Sequence, residues 1–203
     1  MYNFLHSTLF FILKSEGYLF MIFSCIRHGR TEMNAQDLVC GVTDIPLIEL
    51  GIQQAKNASE DIFEKIQTGV ITPVDMIISS PLLRAQQTAQ IIASKLNITY
   101  QIEERLTEQN YGTMEGCSRF APDYLAIRSQ FAVKYPEGES MLDVAQRVYN
   151  FLDEAKQKFS NYNHILLVCH GGTIRLINTY FSDMTNQEFA DFRAENCQIQ
   201  TFL

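Results

Sequence analysis

Short stretches in which nearly every residue is apolar alternate along this chain with longer stretches in which apolar residues recur every third or fourth position. The short runs predict buried strands, and the longer periodic stretches predict amphipathic helices. The predicted strands cover residues 21–26, 74–79, 97–102, 164–169 and 198–203, with the last strand at an edge of the sheet.

The helical spacing predicts helices over residues 50–66, from Ser80-Pro81 to about residue 96, inside 118–134, over 141–159 and over 172–181. Ser80 followed by Pro81 is typical of a capping residue and a first helical position. Strands that alternate with helices in this way form βαβ units. We therefore expect an α/β fold, a three-layer sandwich in which a mostly parallel central sheet is flanked by helices.

The first 20 residues are predicted to differ in role from the rest of the chain. Residues 21–203 contain the alternating pattern and read as one domain, while residues 1–20 are an N-terminal extension of uncertain role. The extension is apolar in part, but Lys14 and Glu16 interrupt it, and it lacks the basic start and small-residue cleavage site of a secretory signal. Three interpretations stay open for it: a segment that the fold does not need, extra core packing, or a weak membrane anchor.

Composition narrows the function classes. A net charge of −7 and a pI near 5.1 argue against a nucleic-acid binder, and no uninterrupted apolar stretch is long enough for a conventional membrane span. The five cysteines include no C-x-x-C pair, and the four histidines lack metal-ligand spacing. This pattern favours reduced thiols in a cytoplasmic protein without a metal site.

Two histidines mark the predicted site. His28 and His170 each follow a predicted buried strand and precede a glycine, and in an open α/β sheet ligands bind at this carboxyl edge. A neutral imidazole can attack an electrophile if its other nitrogen is held by a hydrogen bond. The consecutive glycines Gly171 and Gly172 open the last helix, where exposed backbone N–H groups suit phosphate. Taken alone, a residue such as His28 is more often a histidine satisfied inside the core, and the glycines after His170 could form a simple tight turn.

Charged residues near these histidines favour phosphate chemistry. Arg27 precedes His28, and the planar guanidinium of arginine matches phosphate oxygens. Arg84 lies at the start of a predicted helix and could point back over the sheet edge. Glu108 is a candidate acid, since cleavage of a phosphate ester benefits from a proton on the leaving oxygen. The alternatives are a salt bridge for Arg27, a solvated helix face for Arg84 and a surface carboxylate for Glu108.

Taken in order, these motifs resemble the histidine phosphatase superfamily, which includes phosphoglycerate mutase. The matches span residues 21 to about 181. They are Arg27-His28-Gly29 with Thr31 and Asn34; Gly41 with Asp44, Pro46 and Leu47; Ser79-Ser80-Pro81 with Arg84 and Thr88; Glu108 with Gly112, Glu115 and Gly116; Gly138-Glu139-Ser140; and His170-Gly171. The resemblance implies that residues 21–203 form a catalytic domain with a phosphoglycerate mutase-like fold.

The resemblance also implies a covalent mechanism. His28 would take up the phosphoryl group, while Arg27, Arg84 and His170 would bind its oxygens. Glu108 would protonate the leaving group and then help to activate water.

Thr31 and Asn34 would shape the pocket, and Gly171 would contact phosphate. Neither a metal nor a cofactor is implied, because arginines and histidines supply the positive charge. The implied partner is a small phosphorylated substrate, with no nucleic acid and no membrane, and the oligomeric state stays open.

Among activities, we expect a phosphatase that acts on a small phosphomonoester. In mutases the connection after the glutamate motif is longer and carries adjacent arginines, whereas here Arg119 and Arg128 are separated. Mutase-type phosphotransfer and a non-catalytic phosphate-binding module on the same fold are the alternatives. The substrate itself is not indicated by the motifs.

Three residues depart from the family pattern. Arg30 stands where an acidic or polar residue is common, and either contacts substrate or adds a surface charge. Ile48 replaces a capping threonine and should cost some helix stability. Cys40 precedes Gly41 where a polar residue is common, which leaves binding at that edge open.

Overall fold

The computed structural model describes residues 21–202, and a single sheet of five strands forms the centre of this region. The strands are β1 (Ile22–Arg27), β2 (Met76–Ser79), β3 (Tyr100–Ile102), β4 (His164–Cys169) and β5 (Ile199–Phe202). Their order across the sheet is β3-β2-β4-β1-β5, with β1 to β4 parallel and β5 antiparallel to β1. The predicted mostly parallel sheet, with the last strand at an edge, is confirmed.

Helices cover both faces of this sheet. They are α1 (Glu32–Ala35), α2 (Glu49–Gln67), α3 (Leu83–Leu96), α4 (Pro122–Arg128), α5 (Met141–Lys158), α6 (Gly171–Phe181) and α7 (Asn186–Asp191). Among the described residues, none of the helices is both long and apolar enough to cross a lipid bilayer.

The middle strand β4 shows why its sequence is apolar throughout. Successive side chains of a strand point to opposite faces, and every residue of β4 is buried. Ile165 and Leu167 pack with α5 and α6 on one face. Leu166 and Val168 pack with α2 and α3 on the other face. A strand covered on both faces has no solvent side and so shows no alternation of polar residues.

The irregular segment between β3 and α5 builds a separate small cluster. It contains the 3-10 helices Glu104–Leu106 and Gly112–Met114 together with α4. Tyr111, Tyr124 and Tyr135 pack there against one another and against Val39. This cluster therefore holds the segment together separately from the two cores on the faces of the sheet.

Most predicted helix boundaries agree with the structure to within two residues, but the start of α3 was predicted wrongly. Its first residue is Leu83, and the residue before it, Leu82, makes no side-chain capping bond. Ser80 lies outside the helix, and its hydroxyl oxygen bonds the ring of His170 at 2.7 Å instead. The serine therefore has a partner across the sheet edge and does not cap the helix.

The parallel pairing of β1 with β4 places the two candidate histidines together. Arg27, the last residue of β1, is level with Cys169, the last residue of β4. His28 and His170 follow these residues at the same edge. The interpretations given above for residues 1–20 lie outside the described residues.

Candidate active site

His28 is buried at the end of β1, and its hydrogen bonds fix which ring nitrogen carries the proton. Nδ1 lies 2.7 Å from the carbonyl oxygen of Gly29. A carbonyl can only accept, so Nδ1 must donate. Nε2 is then left with its lone pair, and it accepts a bond from Nε of Arg84 at 3.2 Å. Burial and the positive charges of Arg84 and Arg27 hold the pKa of His28 well below its usual range. The ring is therefore neutral at neutral pH, with an unprotonated Nε2.

Arg84 is fully buried and reaches back from α3 to the end of β1. Its Nη1 donates to the carbonyl oxygen of Thr43 at 2.8 Å, and its Nη2 donates to that of Gly41 at 2.6 Å. With the bond to His28, three of the N–H groups of the guanidinium have partners, which leaves two available to a ligand. The expectation that Arg84 points over the sheet edge is confirmed, and a solvated helix face is excluded.

The loop that supplies these carbonyls is held by Glu115. The Glu115 carboxylate accepts hydrogen bonds from the backbone N–H groups of Gly41, Val42, Thr43 and Tyr111, and from the hydroxyl of Thr43 at 2.7 Å. Five donors on one carboxylate fix the loop, and the loop in turn fixes the guanidinium of Arg84. The sequence analysis assigned no role to Glu115, although it lies inside one of the matched motifs.

His170 lies beside His28, with 5.1 Å between the ring centroids. Its Nε2 bonds the hydroxyl oxygen of Ser80, while its buried Nδ1 has no hydrogen-bond partner among residues 21–202. Burial, Arg84 and His28 lower its pKa well below the usual value. Like His28, it is neutral at neutral pH, and its Nδ1 is the ring nitrogen free to meet a ligand.

A cavity of about 460 Å³ opens at this edge of the sheet. Of the predicted site residues, Arg27, Asn34, Glu108 and Gly171 line it. Arg27 donates to the carbonyl oxygen of Ala194 at 2.8 Å, and its buried Nε has no partner among the described residues. His28, Arg84 and His170 do not line the cavity. His28 and His170 are buried and directly follow or precede the lining residues Arg27 and Gly171 in the chain, and Arg84 is buried with a hydrogen bond to His28.

Glu108 lies in the loop after the first 3-10 helix and contacts the start of α6. Its Oε2 accepts the N–H of Gly172 at 2.9 Å, and its Oε1 accepts the N–H of Gln109 at 2.9 Å. A Cβ atom on Gly172 would lie 2.5 Å from Oε1, so only glycine lets the carboxylate approach this helix start. One N–H that was expected to be exposed for phosphate is thus occupied by Glu108.

Thr31 and Asn34 have a clear local role. Each side chain accepts a hydrogen bond from the other residue's backbone N–H at 3.3 Å, which forms the capping box of α1. Asn34 also lines the cavity, whereas Thr31 is fully buried and does not. The two departures Arg30 and Cys40 both line the cavity as well.

Asn196 and Arg147 complete the surroundings of the site and were not predicted from the sequence. Asn196 donates to the backbone carbonyl of His28 at 2.7 Å and lines the cavity. Arg147, on α5, donates to the carbonyls of Thr107 and Glu108 and so positions the glutamate loop. Both act through backbone carbonyls, which leave no signature in a sequence motif.

Comparison with known proteins gives one family. The model of the histidine phosphatase superfamily (branch 1) matches residues 23–203. A protein named "Putative phosphoserine phosphatase 2" from Hydrogenobacter thermophilus is 34% identical over 160 residues, which is 75% of this chain and 74% of that protein. A "Probable phosphoglycerate mutase GpmB" from Yersinia pestis is 32% identical over 181 residues, 86% of this chain and 80% of that protein.

A similar solved structure is that of a mycobacterial glucosyl-3-phosphoglycerate phosphatase. It aligns with a TM-score of 0.77 at 25% identity and covers 89% of each chain.

Proposed function

Because the chain belongs to the histidine phosphatase superfamily, branch 1, we propose that it is a phosphatase that hydrolyses a small phosphomonoester through a phosphohistidine on Nε2 of His28. The observation that carries this proposal is the fixed tautomer of His28. Its Nδ1 proton is held by the Gly29 carbonyl, so the lone pair of Nε2 lies beside the Arg84 guanidinium. A neutral nucleophile surrounded by cationic donors is what attack on an anionic phosphoryl group requires.

In the first step, the Nε2 lone pair of His28 forms a bond to phosphorus as the ester P–O bond breaks. The phosphoryl oxygens are bound by Arg27, by the two available N–H groups of Arg84 and by Nδ1 of His170. An oxygen can only accept, so Nδ1 carries the proton in this complex and the Ser80 hydroxyl donates to Nε2. Glu108, as the carboxylic acid, gives its proton to the leaving oxygen.

In the second step, the Glu108 carboxylate takes a proton from water as the water oxygen attacks phosphorus. The N–P bond breaks, His28 recovers its lone pair and inorganic phosphate leaves with Glu108 protonated for the next cycle. Both steps balance with water as the only co-reactant. The position of Glu108 on the cavity wall supports both roles.

Mutase-type transfer is the second candidate, and the observation that favours it is the 32% identity with the relative named as a phosphoglycerate mutase. The separated arginines Arg119 and Arg128 favour hydrolysis. Transfer would return phosphate to another hydroxyl of the substrate, whereas hydrolysis releases inorganic phosphate.

The test uses purified protein with an aryl phosphate and a panel of phosphorylated metabolites. We expect release of inorganic phosphate by the unmodified protein, none above background by His28→Asn, and normal release by Glu64→Gln on the exposed face of α2. Quenching Glu108→Gln during turnover with alkaline denaturant should trap a phosphohistidine, which survives in alkali and is lost when the sample is acidified. No turnover by the unmodified protein, or equal turnover by His28→Asn, would contradict the proposal. Interconversion of phosphoglycerates without phosphate release would instead indicate the mutase.

A further inference from the structure

Three arginines that line the cavity are not among the predicted site residues and have a common setting. Arg128 ends α4, Arg175 lies within α6 and Arg193 follows α7. These three residues are called the arginine cluster below. Among the described residues, no hydrogen bond joins a member of the cluster to His28, Arg84 or His170. The cluster is therefore separate from the hydrogen bonds that hold the proposed phosphoryl site.

The hydrogen-bond partners of the arginine cluster are all backbone carbonyls of one segment. Arg128 donates to residues 190 and 192, Arg175 to residue 189 at 3.4 Å, and Arg193 to residues 190 and 192 at 2.9 and 2.8 Å. Within residues 21–202, none of the three guanidinium groups forms an ion pair with a carboxylate. By contrast, Arg119 on the same cavity is paired with Asp37 at 3.4 Å.

Arg175 is the member of the cluster whose burial costs the most free energy. Its side chain is 3% exposed, its Nε has no hydrogen-bond partner among the described residues, and its guanidinium stacks 4.3 Å from the ring of Phe189. Burial and the charge of Arg128 lower its pKa, while Tyr111 and Glu108 act in the opposite direction. A buried cation without a paired anion is unfavourable unless a ligand supplies the anion.

The members of the cluster also repel one another. Arg128 lowers the pKa of both Arg175 and Arg193, although Asp191 partly offsets the effect on Arg193. Their contacts are main-chain carbonyls at the end of α7 and, for Arg175, the ring of Phe189, so within residues 21–202 no ion pair with a carboxylate neutralises them. An anion between them would relieve this repulsion and make use of the unpaired N–H groups of the guanidinium groups.

We propose that the arginine cluster binds a second anionic group of the substrate, a carboxylate or a second phosphate carried by the leaving group. This inference rests on the proposed phosphatase function, because it names the class of phosphomonoester that the same cavity takes. The phosphoryl group would lie at His28 and the second anion at Arg175, with the cavity reaching from Arg27, which precedes His28, to the arginine cluster.

The test compares substrates that differ only in the second anion. O-phosphoserine against O-phosphoethanolamine tests a carboxylate, and fructose 1,6-bisphosphate against fructose 6-phosphate tests a second phosphate. We expect kcat/KM to be at least about tenfold higher for the substrate that carries the second anionic group in one of the two pairs. This factor corresponds to one charge-assisted contact. The pair that shows this preference identifies the anion.

Two variants then locate the effect. Arg175→Gln and Arg193→Gln should each reduce the preference by about tenfold, mainly through KM, and leave turnover of an aryl phosphate unchanged. Arg193 is exposed, so its variant tests the inference even if Arg175→Gln does not fold. Arg30→Gln removes a charge from the same cavity outside the cluster and should keep the preference.

Two results would overturn the inference: no preference in either substrate pair, or a preference that both cluster variants retain. Failure of the proposed function looks different, because His28-dependent hydrolysis of the aryl phosphate would then be missing in the unmodified protein. A phosphatase that cleaves the aryl phosphate but ignores the second anion would refute only the inference on the arginine cluster.

Discussion

At the scale of single residues, the site depends on two histidines that are kept neutral by different contacts. His28 is held by the Gly29 carbonyl and Arg84, and His170 is held by Ser80. The same cations that would bind a phosphoryl group also disfavour a protonated imidazole. In the proposed mechanism, binding of the phosphoryl group and the neutral state of His28 would therefore depend on the same charges.

This arrangement predicts the titration of His28. The measurement is an NMR titration of the Cε1 proton of His28 in the free protein, with His28→Asn used to assign the signal. The ring should be neutral at pH 6.0, and the titration midpoint should lie below the ordinary value of about 6.5. Arg84 is the largest charge that lowers this pKa, so Arg84→Gln should move the midpoint upward. Arg105→Gln, which changes an arginine that is not a cause of the shift, should leave it in place. A midpoint at or above 6.5 in the unmodified protein would contradict the prediction.

The residue types of the site could be predicted from the sequence, but their partners could not. His28, Arg27 and His170 follow strand ends, and parallel strands end at the same edge. The bonds of Arg84 to the carbonyls of Gly41 and Thr43 involve main-chain atoms that every residue has. For the same reason the contact of Asn196 with the backbone of His28 left no signal in the sequence.

At the scale of elements, the loop of residues 41–43 links Glu115 to the guanidinium of Arg84. Glu115→Gln replaces one carboxylate oxygen by an NH₂ group, which would face N–H donors that need an acceptor. We expect kcat to fall by about 10- to 100-fold, since small misplacement of a positioned group has effects of this size.

The measurement for Glu115→Gln is steady-state kinetics on the aryl phosphate with Glu64→Gln as the matched control. A loss in kcat, with a circular dichroism spectrum and melting temperature close to those of the unmodified protein, would assign a positioning role to Glu115. Unchanged kcat in a folded variant would show that the loop does not fix Arg84.

Element boundaries show where sequence patterns are sufficient and where they are not. Helix α2 spans Glu49–Gln67 although Ile48 provides no capping bond, because its buried apolar positions determine the helix regardless of its first residue. Ser80 failed as a predicted cap for the opposite reason: its hydroxyl has a tertiary partner in His170. Strand β3 is only Tyr100–Ile102, because Asn97 ends α3 in the left-handed conformation and the N–H of Ile98 still bonds the carbonyl of Ala93.

At the scale of the whole molecule, the charge that lines the cavity is opposite in sign to the net charge of the chain. The chain has a net charge of −7, yet six arginines and three carboxylates line the cavity. An acidic surface with one positive cleft directs a small anion to that cleft. Composition argues against a nucleic-acid binder, but only the fold shows that these arginines line one cavity, because they come from β1, α4, α6 and the loops between elements.

Buried histidines also make the stability of the whole chain sensitive to mild acid. Burial lowers the pKa of His28, His164 and His170 in the folded state. As the pH falls through about 6.5, the unfolded chain binds protons that the folded chain does not. The contribution of these histidines to the free energy of unfolding is therefore fully present above that pH. Below it this contribution decreases, by at most about 1.4 kcal/mol per pH unit for each histidine.

Urea unfolding at pH 7.5, 6.5 and 5.5 should show this loss before any carboxylate contributes. The carboxylates with lowered pKa, such as Asp143 at about 2, have the same sign of effect, but their loss begins only near pH 4. His164 bonds the Thr72 carbonyl and the Ser24 hydroxyl and has no role in the proposed chemistry. His164→Gln should therefore lower stability at pH 7.5 yet reduce its dependence on pH, because one titrating group is removed. An unfolding free energy that stays constant or rises between pH 6.5 and 5.5 would show that the folded state accepts these protons and that the histidines are not held neutral.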